Sequence, residues 1–454
     1  MTDNSIDKWT ALKDMFGERL ILDTDNYPDY FRDASEIKVR ASAIAFPDSE
    51  SEIIAIINFC RDKNIPIVFR GAGTGYTGGA VPVHSGLVLS LENLKKLEIL
   101  PDYKIALCGP GVVTIELMKA AAGFGLYYPP DPASYEESTL GGNVAECAGG
   151  LHCKKYGVTK DYVIGLRAVI ADGAVLTTGF YSKGDLFDLT GIMIGSEGLL
   201  AAITEIAVSL IDQPETGPTI LAAFTDPADA ARTVAEITRR GIIPAVMEFM
   251  DGDAIACSMA YEKTIAINKV GAVLLFETSG NKRLAEADNI ESICRENNIL
   301  YLNRENDPAQ TERLWRIRRN ISKAVKESAR HKIAEDVCVP PSRLSELVAF
   351  VAGLSREYPI RTNAYGHAGD GNLHVNFLTS SDDPDVMEMI DRAVLSLFEK
   401  TLELGGTLTG EHGIGLTKKD FFHLEFDRAT IDHMKSIKEA FDPAGLYNPG
   451  KMFK

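Results

Sequence analysis

The sequence predicts an α+β protein in two principal parts, with a C-terminal segment that returns to the first. Three observations carry this. Up to about Pro214, short apolar strands and amphipathic helices are interleaved with many glycines. After the linker "DQPETGP", longer apolar strands alternate with helices, which suggests an antiparallel sheet with helices on one face. From about residue 406 glycine returns, and the chain runs on to "NPGKMFK". The expected parts are a helical segment at 1–37, a first domain at 38–214, a second at 215–405, and a completing segment at 406–454.

The elements follow in order. "AIAFP" is a short strand, "SESEIIAIINFCRDKN" a helix with Ser and Glu at its start, and "IPIVFR" a buried strand. "GLVLSL" and "KIALCGPG" are strands, "TIELMKAAAGFG" is a helix, and Tyr128–Tyr156 reads as a long loop-rich stretch. "AVIADGAVLTTG" is a hairpin turning at Asp172-Gly173. In the second part "TILAAF", "PAVMEFM", "GAVLLFET", "RTNAYGH" and "NLHVNFL" are strands. Helices are expected at "DPADAARTVAEITRRG", "KRLAEADNIESICRENN", 308–329, 342–356 and 383–404.

The 454 residues carry a formal charge of −17. Such a surface repels phosphate backbones and anionic lipid, so nucleic acid is not an expected partner. No apolar run reaches the roughly 18 residues of a membrane span. The N-terminus is polar, and the expected location is cytoplasmic. The seven cysteines are dispersed and form no CxxC pair. They read as reduced thiols, and they exclude a common iron–sulfur cluster or four-cysteine zinc site.

"RGAGTGYTGGAVP" holds five glycines, and Gly73, Gly75 and Gly78 satisfy GxGxxG. A dinucleotide fold of the Rossmann type needs a helix to start there, yet the chain continues into the strand-like "AVPVHSGLVLSL". What remains is a strand–loop–strand whose bare amides suit a phosphate. "PPDPASYEESTLGGNVAECAGG" and "GIMIGSEG" add further glycine-rich segments, which together suggest a backbone-lined slot for a large cofactor.

These motifs, with the terminal NPGK, occur in the order and spacing of the vanillyl-alcohol-oxidase/PCMH flavoproteins. From about Tyr30 to Lys451 the chain resembles their D-lactate dehydrogenase and glycolate oxidase flavoprotein subunits. The resemblance implies a two-part PCMH-type FAD-binding domain and an antiparallel-sheet-and-helices substrate (cap) domain. It places FAD against Arg70, Gly71, Ala72, Gly73, Thr74, Gly75, Thr77 and Gly78. Pro132, Ser134, Thr139, Gly141, Gly142, Asn143, Ala148, Gly149 and Gly150 would line the rest of the cofactor, with Asn448 near the flavin ring. Some relatives attach flavin through a histidine in the first loop. None stands between Arg70 and Pro82, so FAD is expected to be non-covalent.

"YGHAGDGNLHVNF" carries two of the eight histidines. The turn Gly369-Asp370-Gly371-Asn372 returns His367 toward His374, and strand alternation puts His374 and Asn376 on one side. Two imidazoles make an incomplete metal site. "TGEHGIG" adds Glu411 and His412, which point in opposite directions from an extended loop, so one can bind a metal while the other faces substrate. The resemblance implies His367, His374 and Glu411 as ligands of a divalent Fe, Zn or Mn, and His412 as catalytic base. "ERLWRIRRNIS" sets four arginines on a helix, a solvated face by residue pattern alone. The resemblance makes Arg318 the anchor for a substrate carboxylate, helped by Asn376, with Asp336 nearby.

The implied reaction oxidises a small D-2-hydroxy acid to the 2-oxo acid by hydride transfer to flavin. Relatives acting on D-2-hydroxyglutarate have a lysine where Ala334 stands, which tilts toward D-lactate or glycolate. Lacking a cluster motif, the chain is expected to hand electrons to a partner, an electron-transfer flavoprotein or an iron–sulfur protein subunit. A homodimer is among the expected assemblies. A D-2-hydroxyglutarate-type dehydrogenase, a metallohydrolase and a non-catalytic scaffold stay open as alternatives.

Overall fold

The computed structural model describes residues 8–35, 37–183, 187–262 and 270–453. Residues 1–7 of the expected N-terminal segment lie outside the described part. The chain forms two compact units. The first comprises Met1–Gly149, Val158–Gln213 and Glu411–Lys454, and the second Gly150–Gly157 and Pro214–Gly410.

In the first unit, strands Ala43–Ala45 and Ile67–Arg70 both pair in parallel with Leu87–Ser90, while Leu20–Ile21 adds an antiparallel edge. Parallel strands are covered on both faces, which is why these segments are continuously apolar. Helix Glu50–Asp62 begins where the Ser49 side chain accepts from Glu52 N–H, and it buries Ile53, Ile56, Ile57 and Cys60 along one stripe. A second, antiparallel sheet runs in the order Leu97–Leu100, Ile105–Cys108, Ala202–Ser209, Val163–Val169, Val175–Thr177. The returning segment is locked in by Tyr447, which is fully buried with its hydroxyl donating to the Val169 carbonyl.

Inside the stretch expected to be loop, Leu140–Glu146 is helical. The Thr139 side chain caps it by accepting from Gly142 N–H. Gly141 and Gly142 each weaken helix propensity by about 1 kcal/mol, which hid the helix. Packing overrides this cost: a Cβ on Gly141 would stand 2.6 Å from the Pro110 Cβ.

The second unit holds a seven-stranded sheet in the order Ile299–Glu305, Thr216–Phe224, Ala272–Ser279, Val246–Asp251, Arg361–Gly366, Asn372–Thr379, His331–Cys338. Every pairing is antiparallel. The helices cover both faces, not the one face expected. Leu221, Ala223, Val273 and Leu275 pack with Leu314, Trp315, Ile317, Ile321 and Val325 of the helices Pro308–Arg319 and Ile321–Glu327. The alternate residues Ile220, Ala222 and Phe224 are also buried, on the side where Pro227–Arg239, Arg283–Glu296 and Leu344–Glu357 pack. Runs such as "TILAAF" are apolar at every position because each face meets helices. The expected 308–329 helix is interrupted at Asn320, and helix Gly252–Glu262 and strand Ile299–Glu305 were not foreseen.

Candidate active site

Sheet register assembles the second unit's polar face. Tyr365 stands opposite His374, and His374 opposite Asp336. Asn363, Asn376 and Ala334 form the next row. Directly opposed residues share a face, so alternation puts both rows on the same side. The turn between the two hairpin strands depends on Gly371, whose φ is +81°. A Cβ there would lie 1.8 Å from the Val339 carbonyl oxygen. The turn returns His367 to His374 with ring centroids 5.5 Å apart.

A residue not anticipated from the sequence organises this face. Glu248 is fully buried in strand Val246–Asp251. Its Oε1 lies 2.7 Å from His367 Nδ1, and its Oε2 accepts from Arg318 Nε at 2.6 Å. Burial alone would raise its pKa, but the charges of His367 and Arg318 hold it below the ordinary carboxylate range. A carboxylate on Nδ1 fixes the tautomer that puts the ring lone pair on Nε2. The available signal was a charged residue in the otherwise apolar "AVMEFM", costly to bury without partners. Arg318 is also buried and lies over the Tyr365 ring at 5.3 Å, whereas Arg313 and Arg319 are exposed. Asn376 donates to Asn363 Oδ1 at 2.9 Å, and its own Oδ1 has no partner among the described residues.

The units divide at the Gly410–Glu411 bond. Gly410 N–H donates to Asp336 Oδ2 at 2.8 Å, and Thr409 Oγ1 lies 3.3 Å from both Asp336 oxygens. The backbone leading into Glu411 is thus anchored on the row of His374. His367 and His374, both of the second unit, present two imidazoles from one hairpin. Two imidazoles are donors that suit a divalent metal, but they make an incomplete set by themselves.

In the first unit no helix follows the Arg70–Gly79 loop, and the chain continues to strand Leu87–Ser90. Gly71 meets the second glycine-rich stretch: a Cβ on it would be 2.3 Å from Thr139 Oγ1. Gly73 has φ +74°, and a Cβ there would strike the Arg70 guanidinium. Nothing lies within 4 Å of the Cβ position of Gly75. This bare, closely approached backbone fits a dinucleotide such as FAD.

Several side chains expected at that cofactor are engaged elsewhere. Arg70 donates to the Arg32 carbonyl at 2.7 Å and covers the Tyr30 ring. Asn143 is buried and donates to Thr114 Oγ1. Asn448 donates to the Glu197 carbonyl. The Ala148 carbonyl accepts from Thr159, and the Pro132 and Ser134 carbonyls close a turn with Tyr135 and Ser138. Thr77 is committed to the C-terminal loop, its hydroxyl donating to the His412 carbonyl at 3.3 Å. The His412 ring stacks on Tyr76 at 4.7 Å. Gly149 and Gly150 stand where the units divide.

Residues 41–179 match an FAD binding domain family, and residues 213–452 match the FAD linked oxidases, C-terminal domain family. The chain is 38% identical to a glycolate oxidase subunit GlcD of Bacillus subtilis, across 96% of this chain and 92% of that one. It is 33% identical to a D-lactate dehydrogenase of Archaeoglobus fulgidus, across 90% of each chain. It is 31% identical to a D-2-hydroxyglutarate dehydrogenase of Stutzerimonas stutzeri, across 96% of each. Among solved structures, p-cresol methylhydroxylase with substrate bound aligns with a TM-score of 0.79 over 100% of this chain and 97% of that one. At 16% identity that likeness shows the fold. With its glycine-lined first unit and the buried polar face of its second, the chain belongs to the FAD-linked oxidases, as an oxidoreductase of the glycolate oxidase, D-lactate and D-2-hydroxyglutarate dehydrogenase type.

Proposed function

We propose that the protein oxidises a small D-2-hydroxy acid, D-lactate or glycolate, to the 2-oxo acid, and passes the electrons to an electron-transfer flavoprotein or an iron–sulfur protein subunit. One observation carries this reading: the buried Glu248 carboxylate joins His367 to Arg318. A single acid thereby orients a metal-binding imidazole and a carboxylate-binding guanidinium, the two groups an α-hydroxy carboxylate needs side by side. His367, His374 and Glu411 would hold a divalent metal, which when bound polarises the substrate hydroxyl. FAD, held non-covalently on the first unit's glycine loops, supplies the hydride acceptor. Arg318 forks onto the substrate carboxylate through its terminal nitrogens, and Asn376 offers its buried amide beside it. His412 takes the hydroxyl proton.

A second reading, a D-2-hydroxyglutarate-type dehydrogenase, is favoured by Lys332. It lies two residues along the strand from Ala334 on the same face, with its Nζ 3.0 Å from Ser322 Oγ and 3.4 Å from the Tyr365 hydroxyl. That ammonium suits the second carboxylate of a diacid. Anaerobic spectra with D-lactate, glycolate and D-2-hydroxyglutarate separate the two readings. The flavin bands bleach with the physiological class of acid, and a protein whose flavin none of the three bleaches refutes both. Acid precipitation releases the yellow colour to the supernatant; colour kept in the pellet refutes non-covalent FAD.

The metal assignment has its own test. Glu411→Ala lowers metal affinity by more than the roughly 10–100-fold that losing an outer-shell partner costs. Metal content after dialysis, measured by plasma emission, reads this out. Unchanged stoichiometry removes Glu411 from the ligand set.

A further inference from the structure

The first unit buries a group of charges that this reaction does not use. Glu146 ends helix Leu140–Glu146, and Glu197 lies in "GSEG" with φ +51°. The Glu197 N–H donates to the Ala145 carbonyl at 2.8 Å, so Glu197 sits on the last turn of that helix. Its own carbonyl accepts from Asn448 Nδ2.

The Glu197 carboxylate accepts two successive backbone N–H groups, from Ile414 and Gly415, each at 2.7 Å. These stand two and three residues after His412. On the other side of the loop, Thr77 binds the His412 carbonyl with its hydroxyl and the Leu416 N–H with its carbonyl. The backbone that carries His412 is therefore tied from both sides. Between the ties lies Gly413, with φ +86°. A Cβ on it would stand 2.8 Å from Glu197 Oε1 and 3.0 Å from Glu146 Oε2. Two carboxyl groups converge on the space that a side chain at Gly413 would fill.

Two buried carboxylates this close do not both ionise. Glu197 has two amides to stabilise its charge, whereas Glu146 Oε2 has no hydrogen-bond partner among the described residues. The other charges facing the pair are Asp33, Lys418 and Lys451. Lys451 donates to the Gly79 carbonyl and lies 3.3 Å from Asn448 Oδ1.

We propose that Glu197 is a positioning residue for His412, and that Glu146 carries the proton that lets the two carboxyl groups share the space around Gly413. This rests on His412 being the base. Burial first, then the Glu197 and Asp33 charges, push Glu146 well above the ordinary carboxylate range. The sign follows. The protonated pair, and with it the loop position, is present at pH below the raised pKa. It is lost as pH rises through the raised pKa, when a second negative charge appears beside Gly413. Lys451, lowered by burial to about 7, titrates in the same direction, so variants are needed to separate it.

The test uses the full-length, FAD-loaded protein with D-lactate in anaerobic stopped flow from pH 6 to 10, alongside backbone hydrogen exchange of the apoprotein. Glu197→Gln loses the charge and one acceptor. Flavin reduction slows by about 10–100-fold, since a misplacement of about 1 Å costs that much. KM and FAD content change little, and the Ile414 and Gly415 amides exchange faster. In Glu146→Gln the alkaline loss of reduction rate shrinks to the part that Lys451 contributes, because a neutral amide cannot ionise. A wild-type reduction rate in Glu197→Gln, or an unchanged alkaline limb in Glu146→Gln, overturns the proposal. If Glu197→Gln does not fold, the Glu146→Gln pH profile alone decides. His412→Ala run in parallel separates the two levels: full reduction in that variant sinks the base assignment, whereas loss there beside a wild-type Glu197→Gln sinks only the positioning role.

Discussion

His412→Ala retains FAD and loses flavin reduction by D-lactate, with a rate constant down by about 10²–10⁴. The cofactor is retained because the imidazole is not part of the glycine-loop backbone. The ring stacks on Tyr76, and it is the residue's carbonyl, untouched by the substitution, that receives the Thr77 hydroxyl. Reduction is lost because the substrate hydroxyl proton must leave as the hydride departs, and no other base is proposed for it. The measurement is single-turnover bleaching in anaerobic stopped flow, with FAD content read from the spectrum of the same sample. Full-rate bleaching would move the base elsewhere. Loss of FAD along with activity would make His412 a structural residue of the loop.

Glu248→Ala destabilises the second unit and releases the metal together. Glu248 is fully buried, and its two oxygens serve His367 and Arg318 separately. Removing it leaves the Arg318 guanidinium buried without its anion, a change that costs about 3–5 kcal/mol. For a domain of this size that corresponds to a melting shift of about 6–20 °C. The same change frees the His367 tautomer and lowers metal affinity by about 10–100-fold. Glu248→Gln distinguishes the charge from the shape. It keeps one acceptor and nearly the same volume, so it recovers part of the melting temperature, while metal affinity stays low because the imidazole loses its anionic partner. Calorimetry and metal titration on the two variants read both effects. A melting temperature within about 2 °C of wild type in Glu248→Ala would show that Arg318 does not depend on the pair.

Much of the second unit's polar face was legible because its motifs encode local geometry. The period-two alternation of "NLHVNFL" set His374 and Asn376 on one face, and the strand pairings with Tyr365 and Asn363 have that register. The failure of a helix to follow Gly79 was readable from the strand-like residues after it, and the chain does run on to a strand. The helix at Leu140 was not readable, because two glycines mask a helix that packing against Pro110 stabilises. Helices on the sheet's second face were missed although the uninterrupted apolar strands announced them. Glu248 stands 119 residues before His367, and nothing within its own strand says which histidine it will meet.

What the sequence determined by itself is the kind of most elements and the kinds of group they offer: glycine-lined backbone, two imidazoles on a hairpin, an adjacent Glu-His pair, an arginine helix. These follow from interactions within a few residues, where sterics and alternation decide. What only the tertiary structure decided is which side chains become committed to one another. Arg70, Thr77 and Asn143 turned to structural partners, Arg318 and His367 came to share one acid, and Glu146 and Glu197 came to face a single glycine. The reason is energetic. A buried charge is tolerated only beside its counterpart, and that counterpart is brought from a distant part of the chain by the same apolar burial that removes both from water.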